Sequence, residues 1–65
     1  MKLDYTKQQV EEFKQKLYFT NNEIKILEMW LYEYSNVQMA LKMNMSTATI
    51  SRIKKNILDK IKRVS

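Results

Sequence analysis

Ser46, Thr47, Ala48, Thr49 and Ser51 crowd small and hydroxyl-bearing side chains into one short stretch, and Arg52 and Lys55 follow within about a helical turn. These groups suit recognition rather than bond making. A hydroxyl both donates and accepts hydrogen bonds, a guanidinium offers a planar fork of donors, and an ammonium acts as a compact point charge. The residues that most often carry catalysis are missing: the chain has no His, no Cys and no Gly. It therefore lacks the commonest general base, a thiolate for metal or nucleophilic work, and the means to build a glycine-rich phosphate loop. The expectation is a binding protein that is not an enzyme and takes no cofactor or metal.

Charge placement narrows the partner. From Met1 to Leu41 five lysines face six carboxylates, a net of −1; from Lys42 to Ser65 seven cations face only Asp59, a net of +6. The whole excess of +5 thus lies in the last 24 residues. That asymmetry predicts a polyanion gripped by one end of the chain. No apolar run approaches the roughly 20 residues of a membrane span, and the start lacks the apolar core of a signal peptide, so a cytoplasmic protein with no membrane contact is expected.

The absence of Gly and Pro, with apolar residues three and four apart, predicts an all-α chain. Its helix starts are legible. Thr6 with Gln9, Thr20 with Glu23, and Ser35 with Gln38 each fit a capping box, and each follows an apolar residue able to staple onto the first turn. Ser46 makes a fourth cap. Helices are expected at 7–18, 21–34, 36–43 and 47–62. They form one domain, 1–65: an N-terminal helix within 1–18, a leading helix within 20–34, and a helix-turn-helix over 36–62. Only Asn44, Met45 and Ser46 join the last two helices, a connection suited to a steep crossing. Asn44 is the expected left-handed residue of that turn, since Asn tolerates the conformation best after Gly.

At about 100° per residue, Ile50, Ile53, Ile57, Ile61 and Val64 fall on one stripe of the last helix. Ala48, Ser51, Arg52, Lys55, Asp59 and Lys62 fall opposite. Such a basic face is often merely solvated. A membrane-surface helix would instead place Trp, Phe or Leu on the apolar stripe, and RNA binding would interleave aromatics with cations; here every aromatic lies at or before Tyr34. In a helix-turn-helix the second helix buries one face and offers its first turns to the major groove, where small residues permit close approach. Ala40 likewise permits close approach of the two helices.

The stretch SNVQMALKMNMSTATISRIKKNILDKI resembles the helix-turn-helix of LuxR/GerE-type regulators and is similar to region 4 of bacterial sigma factors. Ser35-Asn36 at the opening, Met39-Ala40, the turn Met43-Asn44-Met45-Ser46, Thr49-Ile50 and the closing NILDKI carry the likeness. FTNNEIKILEMW, residues 19–30, resembles the leading helix of both families. The resemblance implies a small helical bundle, a tri-helical core here preceded by an N-terminal helix. It also implies a transcriptional regulator that binds double-stranded DNA sequence-specifically, with a recognition helix at about 47–62. Ser46, Thr47, Ala48, Thr49, Ser51, Arg52 and Lys55 are the expected DNA-facing residues; Asn36, Lys42, Lys54 and Lys62 are the expected phosphate contacts. Lys60 is expected to add sequence-independent attraction. Ser51 departs from the family, which usually has Lys there, and those domains add a further helix beyond the recognition helix. The competing reading is an interaction module that docks on RNA polymerase or another regulator, or pairs with a second copy, through Met29, Tyr32, Val37 and Leu41.

Overall fold

The computed structural model describes residues 3–64; Met1, Lys2 and Ser65 lie outside it. Among the described residues four helices follow one another: α1 (Lys7–Lys16), α2 (Asn21–Leu31), α3 (Asn36–Met43) and α4 (Thr47–Lys62). Among the described residues there is no strand. The all-α class and the helix-turn-helix formed by α3 and α4 agree with expectation.

All four starts form as the sequence specifies. Thr6, Thr20 and Ser35 each accept from the backbone N–H three residues on, and the side chains of Gln9, Glu23 and Gln38 accept from the cap N–H at 2.9 Å. Ser46 Oγ accepts from the Thr49 N–H at 3.2 Å and lies 2.9 Å from the Thr49 hydroxyl. Each cap satisfies donors that the first helical turn would otherwise leave open.

Two helices end earlier than expected. Leu17 turns extended (φ −119°, ψ 147°), closing α1 at Lys16. The break lets Phe19 enter the core and Thr20 cap α2. Helix α2 stops at Leu31 because Glu33 is left-handed, φ 64°. Tyr34 N–H then donates to Met29 O, and Glu33 N–H to Trp30 O, both at 3.0 Å. That double closure is a Schellman motif built without glycine. Asn44, also left-handed at φ 56°, closes α3 with both its own N–H and the Met45 N–H donating to Ala40 O, the latter at 2.9 Å.

Helices α2 and α3 both pack on α4. Val10, Phe19, Ile26, Leu27, Trp30, Met39, Ala40, Ile50, Ile57 and Ile61 form the core. Each fully buried isoleucine stabilises the fold by roughly 1.5–3 kcal/mol relative to exposure. Val64 does not extend the stripe: α4 ends at Lys62, and Val64 is 49% exposed beyond it. Helix α1 contributes Val10 to the core, an edge-on Tyr5–Phe13 pair with ring centroids 5.1 Å apart, and a Lys14–Glu28 ion pair at 3.2 Å.

One ion pair ties the start of α2 to the end of α4. Lys60 Nζ lies 2.7 Å from Glu23 Oε1 and also donates to the Tyr18 carbonyl at 3.2 Å. Glu23 is only 6% exposed. Burial by itself would raise its pKa, but the Lys60 hydrogen bond, the Thr20 amide and the Lys60 charge outweigh burial and hold it below the ordinary 4.5.

Two outcomes follow. Asn44→Val should destabilise the fold by about 1–2 kcal/mol in chemical denaturation, since a β-branched residue resists positive φ, whereas Asn44→Gly should be tolerated. Because the folded-state pKa of Glu23 is depressed, its stabilisation is full above the ordinary value and fades as pH falls through the folded one. The stability gap between the parent and Glu23→Gln should therefore shrink between about pH 6 and about pH 3, as read by thermal unfolding.

Candidate nucleic-acid interface

Helix α4 is divided along its length by what it packs against. Ile50, Lys54, Ile57 and Ile61 are buried, whereas Thr47, Ala48, Ser51, Arg52, Lys55, Asp59 and Lys62 are exposed. At about 100° per residue these seven share one arc of less than half the helix circumference. The arc opens on small and hydroxyl side chains and continues into Arg52, Lys55 and Lys62. Arg63, not among the expected contacts, adds a further exposed cation at the helix end.

Two of the expected contacts serve the helix start. Ser46 and Thr49 pair their hydroxyls, and Ser46 also accepts from the Thr49 amide. Thr49 is half-buried. Lys42 is exposed at the end of α3, with its ammonium 5.6 Å from the centre of the Tyr34 ring.

Lys54 departs most from expectation. Proposed from sequence as a phosphate contact, it is 5% exposed and turned inward. Its ammonium lies 4.7 Å from the centre of the Trp30 ring and donates to Asn36 Oδ1. Burial lowers its pKa. The arrangement is physically reasonable because a desolvated cation gains from an aromatic face and a carbonyl oxygen together. Asn36, also expected at a phosphate, is half-buried, and its amide nitrogen donates to Ser51 Oγ at 3.4 Å. Its side chain is thus committed to α4 at both ends. The sequence did carry a signal: Lys54 follows Ile50 by four and precedes Ile57 by three, which places it on the apolar stripe.

Lys60 is likewise not a free cation. It is half-buried against Glu23, with the Tyr18 and Phe19 rings 6.0 and 5.5 Å from its ammonium. Of the seven cations in the basic half, Lys42, Arg52, Lys55, Lys62 and Arg63 remain exposed. What this surface can do is attract an extended anion, approach it closely at the first turns of α4, and donate hydrogen bonds one turn further on. No group of side chains among the described residues is arranged to hold a metal ion. No helix among them is long and apolar enough to cross a membrane.

Residues 17–65 match the family described as bacterial regulatory proteins, luxR family. Helix α1 lies outside the matched segment. Neither the curated proteins nor the solved structures give a significant match.

The two lysines near the end of α4 should separate cleanly in experiment. Lys60→Ala should lower the unfolding free energy by about 1–3 kcal/mol, because it strands the Glu23 carboxylate. Lys62→Ala should leave the melting temperature within about a degree or two and weaken binding to any duplex equally.

Proposed function

Because the chain belongs to the luxR family of bacterial regulatory proteins, a family of DNA-binding regulators, we propose that it controls transcription by binding double-stranded DNA sequence-specifically, with the first turns of α4 in the major groove. The observation that carries this reading is the division of α4. One arc is buried on α2 and α3, and the other presents Thr47, Ala48, Ser51, Arg52 and Lys55 without a large apolar side chain among them. Small residues at the first turn let the backbone approach base edges, and Arg52 lies one turn further along the same arc. Its guanidinium fork matches guanine O6 and N7 together, a geometry an ammonium cannot copy. Lys55, Lys62, Arg63 and Lys42 supply attraction to the backbone, which positions without specifying.

A second reading has its own observation. Tyr32, Val37 and Leu41 are 65, 60 and 78% exposed, and none of them lies on α4. Apolar surface of this kind suits a protein partner such as RNA polymerase, another regulator or a second copy of the chain. Salt separates the two readings. Duplex binding should weaken steeply with salt, with a log–log slope corresponding to about 3–5 neutralised phosphates per chain, whereas apolar docking should be nearly indifferent.

Competition titrations of specific against scrambled duplex test the groove assignment. Arg52→Lys should keep most non-specific affinity yet lose about 1–3 kcal/mol of discrimination at one base pair. Ala48→Glu should abolish binding in a folded protein by placing bulk and negative charge against the groove. Normal binding by Ala48→Glu would remove α4 from the groove.

A further inference from the structure

Inside the α3–α4 crossing, Lys54, Asn36 and Ser51 form a chain of hydrogen bonds that runs from the core to the DNA-facing arc. We propose that this chain is polarised, and that it fixes Ser51 as a hydrogen-bond donor toward an acceptor on the duplex. The inference rests on the functional reading above and deepens it.

The polarity follows from what each group is able to do. An ammonium only donates, so the atom of Asn36 that faces Lys54 must be its carbonyl oxygen. Turning the amide over would set two donors against each other at a lysine that is 5% exposed and already holds the Trp30 ring on another side. With Oδ1 committed inward, the Asn36 amide nitrogen faces Ser51 Oγ at 3.4 Å. A primary amide nitrogen also only donates, so Ser51 Oγ accepts. Its own proton must then point elsewhere. Ser51 lies on the exposed arc between Thr47 and Lys55, where a ligand can reach that proton.

A small hydroxyl on this arc would ordinarily be free to donate or accept by rotation. Here the Asn36 N–H occupies one lone pair and the proton must lie away from it, which biases the side chain toward meeting an acceptor on DNA. Phosphate oxygen and the acceptor edges of guanine, adenine N7 or thymine O4 share that chemistry. Specific and scrambled duplexes distinguish the two sources, because a base-edge acceptor is lost on scrambling and a phosphate is not. Lys54 touches no DNA in this scheme. It is a positioning residue acting through Asn36.

The test is a set of double-substitution cycles read as duplex affinity, each variant first checked for folding by thermal unfolding. Ser51→Ala should weaken binding by about 3–10-fold, the effect of one net hydrogen bond. Lys54→Met keeps an unbranched apolar stem against Trp30 but releases the Asn36 amide. It should weaken binding by a smaller factor in the parent and by no measurable factor in the Ser51→Ala background. Asn36→Asp provides a variant that retains a partner for Lys54 while reversing the chain, since a carboxylate can only accept and would draw the Ser51 proton inward. Its added charge weakens binding in any background, but the loss should be several-fold larger in the parent than alongside Ser51→Ala. Equal losses in both backgrounds, for both substitutions, would overturn the polarised chain while leaving the DNA-binding reading intact. Failure of the unsubstituted protein to bind any duplex would overturn that reading, and this one with it.

Discussion

Ile50, Ile57 and Ile61 lose all solvent exposure against the helices that precede them, and among the described residues no other helix receives packing from two partners to the same extent. A chain of 65 residues without Cys has no covalent staple to fall back on. Its stability therefore depends on one buried arc of α4, and the opposite arc can be spent on recognition only because the first is so fully engaged. The division limits how α4 can be used. A ligand that needed the buried arc would unfold the domain, whereas one that reads the exposed arc meets a helix already held in place.

Charge is partitioned by the same packing. Two cations of the basic half turn inward, and each finds a different solution to desolvation. Lys60 meets the Glu23 carboxylate, which also closes the capping box of α2, so a single carboxylate joins a helix start to the far end of α4. Lys54 meets the Trp30 face and the Asn36 carbonyl instead of a carboxylate among the described residues. The first arrangement ties α2 to α4, and the second ties α3 to α4. Together they secure the crossing that sets the orientation of the exposed arc, and they concentrate the free positive charge on Lys42, Arg52, Lys55, Lys62 and Arg63.

Helix α1 stands apart from the family-matched segment yet is no loose extension. Val10 is fully buried, and Lys14 reaches Glu28 on α2. It enlarges a core that would otherwise be thin for so small a chain. The exposed Tyr32, Val37 and Leu41 receive no such cover from α1.

What the chain determined without tertiary help was local. The four helix starts, the left-handed Asn44, the all-α class and the candidate DNA-facing arc were all readable because caps and turns depend on residues three or four apart, and amphipathic periodicity depends on one helix alone. The left-handed Glu33 has no local mark in the sequence, since no glycine stands there, although the backbone closes around it as it does at Asn44. The fates of Lys60 and Asn36 were decided only in three dimensions, as were the partners of Lys54, whose inward position alone is marked by the apolar stripe. Helical position can hint that a cation turns inward, but what it meets there depends on whether an aromatic face, a carbonyl or a carboxylate waits across the interface, and those partners lie 18 to 42 residues away.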